Sequence, residues 1–353
     1  MKRPMKAPRW WLTRPAEIET HLRSLRGVTA WEIGRSAGSH PILAASWGER
    51  EDLPNKTSVS LASALAGGSA AAFYGEGERK RQTLLFLGNA HGIEFEGTVA
   101  ALNMLNVIAA GTDLRGRKWP RMHREGRKLR IVVIPTFNVD GRLRYQEVTH
   151  FLDSDAEHCR KISQGDWKAA GKLEWPKSKL VCPIPPDKVK KLGGYFNDNG
   201  VNLVYDTGFG VEPQSETKAL LRLCREEMPD CVICSHTDRG SLVQPPDSFI
   251  PSYYRQRQTQ IAAIAGARCL REGIIRRYAV PQRAHGYAGE VFYQTDLIYH
   301  TCGALPLLVE FPLGYKAFPY SFNEIVDIGM CVLEEIICFG ACDRFRPYDP
   351  KRK

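Results

Sequence analysis

The sequence predicts a layered α/β domain with a largely parallel sheet. Three observations carry that expectation. Short apolar runs recur along the chain and read as strands buried on both faces. Longer segments with helical spacing alternate with them, which is the pattern of a layered domain with a largely parallel sheet. No internal repeat or linker-like stretch divides the 353 residues, so one domain is the simpler reading.

Taken in order, residues 1–27 read as a basic N-terminal extension with a short helix at PAEIETHLRSL. TAWEIGRSAGSHPILAASWG alternates polar and apolar residues around Gly and Ser turns, which suggests a hairpin. TLLFLG is a buried strand ending in Gly88, and EFEGTVAALNMLNVIAAG is a helix closed by Gly111. A basic connection follows, and LRIVVIPTFN is the next buried strand. Residues 150–200, rich in Lys, Gly, Pro and Asp, show no periodicity and read as long surface loops. SETKALLRLCREEM (helix), CVICSH (strand), QTQIAAIAGARCLREG (helix), ALPLLVEF (strand) and NEIVDIGMCVLEEIICFGA (helix) complete a domain over 28–340, with a basic tail at 341–353.

Hydrophobic residues make up 43% of the chain and charged residues 25%, an ordinary globular balance. No stretch reaches the roughly 20 apolar residues that a bilayer span requires. The N-terminus lacks the apolar core of a secretory signal, so a cytoplasmic protein with no membrane partner is expected. Ten cysteines are scattered, and Cys231, Cys234, Cys331 and Cys338 sit in apolar runs where reduced, buried thiols are expected. Cys231 and Cys234 form a CxxC inside a strand with no second CxxC, which argues against a zinc knuckle. The net charge of +10 lies largely in residues 115–130 and at the two termini. A solvated loop and basic tails explain it, and with no zinc-finger spacing or RNP-like motif, nucleic acid is not an expected partner.

The chemistry gathers where the apolar strands end. TLLFLG runs into NAHGIEFEG, CVICS into HTDRG, and LPLLV into EFPLG. Ligands of α/β sheets sit beyond the carboxyl ends of the strands, so His91 with Glu94, His236 and Glu310 are brought towards one place. Two His and one Glu make a familiar ligand set for catalytic zinc, with one position left open. His91 and Glu94, three residues apart at the entry to a helix, can reach one ion.

GNAHGIEFEG also resembles the HxxE zinc motif of the zinc carboxypeptidase family, the carboxypeptidase A-like metallopeptidases. WEIGRSAGSHPILA, IPTFNVDGRLRY, GVNLVYDTGFG, EPQSETKAL, VICSHTDRG and DLIYHTCGALPLLVEFPLG resemble further motifs of that family in the same order, over roughly residues 30–335. The resemblance implies an α/β fold with a mixed, mostly parallel eight-stranded sheet between helices, and one zinc per chain on His91, Glu94 and His236. It implies zinc-activated water with Glu310 as general base, and a peptide substrate. It also implies a cation for the developing oxyanion, with Arg160 in HCRKISQGDW as first candidate and Arg142 and Arg144 beside it. Tyr287 and Tyr293 stand where the family often places a substrate-capping tyrosine. Arg142, Arg239 and Tyr293 are further candidates for holding the substrate.

Two departures qualify the resemblance. Val204 and Tyr205 replace the Asn-Arg pair that binds a terminal carboxylate in the family, and valine cannot do what an arginine fork does. Either another arginine such as Arg144 or Arg239 substitutes, or the substrate has no such carboxylate. Asn202 stands where an Asp usually orients a zinc-bound His, and an uncharged partner implies weaker zinc binding. The leading expectation is a zinc-dependent hydrolase of an amide bond. The alternatives are an amidase or deacylase of an N-acyl amino acid or cell-wall peptide, and a non-enzymatic binding protein using its basic surface.

Overall fold

Every residue of TLLFL is buried, because the strand lies in a sheet covered on both faces. The computed structural model describes residues 6–53, 80–145, 156–168, 183–207, 212–238, 243–244, 250–274, 292–312, 314 and 320–347. Its strands are β1 (Val28–Arg35), β2 (Pro41–Trp47), β3 (Thr83–Leu87), β4 (Arg130–Ile134), β5 (Gly165–Trp167), β6 (Val189–Leu192), β7 (Cys231–Asp238), β8 (Val243–Gln244) and β9 (Leu305–Pro312). Seven of them form one sheet in the order β1-β2-β4-β3-β7-β9-β8, while β5 and β6 pair separately. The centre, β4-β3-β7-β9, is parallel. The edges β1-β2-β4 and β9-β8 are antiparallel. The sheet is thus mixed as expected, with seven strands among the described residues where eight were expected.

The helices are α1 (Pro15–Ser24), α2 (Glu96–Ala110), α3 (Pro120–Gly126), α4 (Val139–Arg144), α5 (Ala156–Gln164), α6 (Ser215–Glu227), α7 (Ser252–Arg271), α8 (Gln294–Cys302) and α9 (Phe322–Cys342). Alternate strand residues feed two cores. Leu84, Phe86, Ile131, Ile233 and Leu307 pack with α2, α3, α7 and α9. Leu85, Leu87, Val132, Val232 and Cys234 pack with α6 and α8 on the other face. Helix α2 stops at Gly111, whose φ of 84° is the left-handed cap that glycine adopts without strain. Helix α9 opens with a capping box in which the Ser321 hydroxyl accepts from Glu324 N, and the Glu324 carboxylate accepts from Ser321 N.

Three expectations are corrected. The supposed N-terminal extension is part of the domain, since Trp11, Ile18 and Leu22 are buried in the first core. The basic run is more than a connection: it carries α3, and much of its charge is paired. Arg115 and Arg117 meet Asp327, Arg121 meets Glu335, and Arg124 and Lys128 share Glu125. The described part of 150–200 holds α5 and the β5-β6 pair, elements too short to show a period. Cys231, Cys234, Cys331 and Cys338 are buried free thiols. No described helix is long and apolar enough to cross a membrane.

Candidate metal centre

The loop after β3 turns at Asn89, which takes the left-handed φ of 49° that Asn tolerates better than most residues. Its amide donates to Gly92 O at 3.0 Å, and its side-chain oxygen accepts from the Thr98 hydroxyl. Gly92 is needed for clearance, since a Cβ there would lie 2.3 Å from Arg142 N. The turn delivers His91 and Glu94 to one buried spot, 2% and 4% exposed.

His236 reaches the same spot from β7. His91 Nδ1 lies 3.0 Å from Glu94 Oε1, and His236 Nδ1 lies 3.0 Å from Glu94 Oε2. Potential ligand atoms of the three residues all lie within 4.8 Å of one another. Burial alone would raise the Glu94 carboxyl. The charge of His91 and the hydrogen bonds of both imidazoles outweigh it and hold Glu94 well below the usual carboxylate range.

Asn202 sits behind His91 as the sequence suggested, with its Oδ1 3.3 Å from His91 Nε2. The same oxygen accepts from Val204 N at 3.2 Å, which turns the amide so that its oxygen faces the ring. With Glu94 facing Nδ1 and Asn202 facing Nε2, an ion taken on Nδ1 would leave the ring proton on Nε2, against the Asn202 oxygen.

Glu310 comes from the neighbouring strand. It is the direct partner of His236 in the β7-β9 register, so both side chains leave the sheet on the same side. It is half-buried and does not belong to the three-donor cluster, as suits a base beside an ion rather than a ligand. Helix α2 begins immediately behind. A Cβ on Gly97 would lie 1.8 Å from Ser235 Oγ, so only glycine lets the helix approach β7 this closely. Glu96 is buried there and accepts from Thr237 Oγ1 at 3.0 Å, and burial pushes its carboxyl up to about 8.

Tyrosines wall the centre. The Tyr195 ring stacks on His91, with centroids 3.8 Å apart and planes 21° from parallel. Burial and the charge of Glu94 push its phenol well above the ordinary value. Tyr205 and Tyr293 lie with ring centroids 5.4 Å apart, and burial pushes both phenols up, with the charges of Glu94 and Glu310 adding to the shift at Tyr205. The expected Tyr293 packs against Tyr205 and makes no hydrogen bond or ring contact with the three donors among the described residues. The structure also adds Tyr195, which the sequence reading missed. The one available signal was Gly193-Gly194 before it, a pair that permits close approach of two backbones.

The arginine expectations fare differently. Arg142 is 2% exposed and donates to Thr13 O at 2.9 Å, to Tyr145 O and to Thr13 Oγ1, with its guanidinium over the Phe95 ring. It is a tether within the fold and not the expected substrate contact. Arg144 is likewise occupied by Gly193 O, Phe196 O and Asp198. Arg160 is exposed on α5 and makes no hydrogen bond or ion pair to the cluster among the described residues. Arg239 and Tyr287 lie outside the described residues. A second group, His40, Asp140 and Asp198, could also hold a cation by distance. Asp140 already accepts from the Ser36 hydroxyl, Gly38 N and Asp198 N, which makes that group a knot holding the β1-β2 turn.

A family model described as zinc carboxypeptidase matches residues 23–172. No curated protein matches the sequence. A metallo-carboxypeptidase from Burkholderia cenocepacia is 14% identical, with 91% of this chain and 67% of that one covered and a TM-score of 0.55. For a putative carboxypeptidase A from Shewanella denitrificans the values are 12%, 92%, 68% and 0.53. For bovine thrombin-activatable fibrinolysis inhibitor in complex with tick carboxypeptidase inhibitor they are 11%, 94%, 99% and 0.55. At such identities the likeness is one of fold, and the chain spans about two thirds of the length of the two bacterial structures.

Proposed function

We propose, from the premise that the chain is a divergent protein of the zinc carboxypeptidase family, that it is a zinc-dependent hydrolase of an amide bond. The observation that carries the reading is the convergence of two imidazole Nδ1 atoms on the Glu94 carboxylate, with Glu310 in register beside His236. This donor set, two nitrogens and a carboxylate held in a buried site, fits a catalytic zinc that keeps an open position. Zinc held there supplies a Lewis acid and makes water a nucleophile at neutral pH.

The remaining work falls to the chain. Glu310 accepts the proton of the attacking water and delivers it to the departing amine, so one carboxyl serves as base and then as acid. Asn202 keeps His91 turned, and the paired tyrosines Tyr205 and Tyr293 bound the place where the acyl portion sits. The purified protein should carry about one zinc per chain, and Glu310→Gln should lower turnover by roughly 100- to 10,000-fold while leaving zinc content unchanged. A folded protein that zinc cannot occupy would remove the reading.

A second reading keeps the same chemistry but changes the substrate to an N-acyl amino acid or a cell-wall peptide. It is favoured by Val204 and Tyr205 in place of the carboxylate-binding pair, and by the structural engagement of Arg142 and Arg144. Peptides with free and with amidated C-termini separate the two readings, since a strict need for the free carboxylate excludes the second.

A further inference from the structure

Tyr195 belongs to none of the motifs that predicted the centre, yet it touches two of its three donors. Its ring covers His91 in a near-parallel stack. Its buried phenol has Ser163, at the end of α5, and the Glu94 carboxylate as polar neighbours. We propose that Tyr195 is a positioning residue of the metal centre, one that locks His91 by stacking and Glu94 by hydrogen bonding, with Ser163 locking Tyr195 in turn. The inference rests on the metal reading above.

The backbone around Tyr195 is built for this. Gly194 O accepts from Gly92 N at 2.9 Å, joining the tyrosine segment to the ligand loop between His91 and Glu94. Gly194 N donates to Ile162 O at 2.8 Å and Tyr195 N to Ser163 O at 3.0 Å, which fixes the segment to α5 on its other side. Asn138 Nδ2 donates to Tyr195 O at 3.1 Å. A Cβ on Gly194 would lie 2.3 Å from the Ile93 side chain, so no larger residue lets the two segments meet.

The hydroxyl gains importance when an ion is held. An imidazole Nδ1 that gives its lone pair to a metal no longer donates to Glu94, so both 3.0 Å contacts that orient the carboxylate are given up. Among the described neighbours of Glu94, the Tyr195 hydroxyl is then placed to donate and fix the rotamer. Partners of this kind orient metal ligands, and their removal commonly weakens binding by about 10- to 100-fold.

The experiment uses the full chain, with zinc affinity read by competition against a chromophoric chelator and the ligand field read from the visible spectrum of the cobalt(II) form. Tyr195→Phe keeps the stack and loses the hydroxyl, Tyr195→Leu loses both, and Ser163→Ala removes only the support behind. Tyr195→Phe should weaken zinc by about 10-fold or more and alter the cobalt spectrum, while the metal-free protein unfolds at the wild-type denaturant concentration. Tyr195→Leu should weaken zinc further, and Ser163→Ala should fall between wild type and Tyr195→Phe. Tyr195→Phe with zinc affinity within about twofold of wild type and an unchanged spectrum overturns the proposal and leaves the metal reading standing. A parallel loss of metal-free stability would also overturn it, because the tyrosine would then be packing alone. A folded wild type that binds neither metal overturns the metal reading itself. Should Tyr195→Leu fail to fold, the other two variants decide.

Discussion

Arg142→Met separates a fold tether from a substrate contact. The guanidinium donates to Thr13 O, Thr13 Oγ1 and Tyr145 O while 2% exposed, so methionine would leave these acceptors without their charged donor in a site closed to water. Hydrogen bonds to a charged group contribute about 1.5–3 kcal/mol each, and they are not additive within one network. Allowing for the apolar stem that methionine restores, the loss should be about 3–5 kcal/mol. With an unfolding entropy of about 2.1 cal/mol/K per residue, this length gives roughly 0.74 kcal/mol/K, so Tm should fall by about 4–7 °C. Calorimetry and urea titration of the metal-free protein read that change directly. The centre should feel it too, because Arg142 lies over the Phe95 ring and Phe95 follows Glu94. If Arg142→Met instead unfolds like wild type and raises KM for an amide substrate, the tether argument is wrong and the sequence-based assignment to substrate is restored.

Three further outcomes follow from the packing and charges. Glu216 is fully buried, and burial raises its carboxyl above 4.5 despite hydrogen bonds from Ala37 N and Asn197 Nδ2. The native state therefore holds a proton that the unfolded chain releases, so this stability is full below pH 4.5 and lost as pH rises through the raised value. Glu216→Gln should gain on wild type from pH 4.5 upward in urea titrations, and a pH-independent difference would contradict this. Gly97→Ala would set a Cβ 1.8 Å from Ser235 Oγ and 2.7 Å from the Phe311 ring, so it should cost about 1–3 kcal/mol and loosen metal at the adjoining His236. Wild-type resistance to a chelator would contradict that. The protein should not bind duplex DNA at physiological salt, since much of the basic run is paired with Asp327, Glu335 and Glu125. An affinity that falls steeply with salt would contradict it.

Much of this was legible in the sequence because two signals are local. Continuous apolar runs such as TLLFL mark strands whose faces are both covered, and His91, His236 and Glu310 stand at or near their ends. What was not legible depends on distant partners. Arg142 next to a motif looks the same whether it reaches a substrate or Thr13, 129 positions away. Trp11 looked like part of a basic extension because the residues around it are charged, yet the ring packs edge-on against Phe95 and Phe322. Tyr195 follows two glycines in a stretch with no period, and only the meeting of Gly194 with Gly92 reveals which ring it covers.

The register that sets His236 opposite Glu310 has a consequence for how such a protein can change. Neighbouring strands stand about 4.8 Å apart because ladder hydrogen bonds hold them there, whatever the surrounding loops contain. The segments around the centre can thus be lengthened, shortened or rewritten while the imidazole and the carboxylate keep their separation. Slipping β9 against β7 by one residue would instead turn Glu310 to the opposite face. On the proposed reading, preference for one substrate over another can change with those loops while the His236–Glu310 separation stays fixed. Loop grafting is accordingly the productive route for redesign of this chassis, with β7 and β9 left untouched.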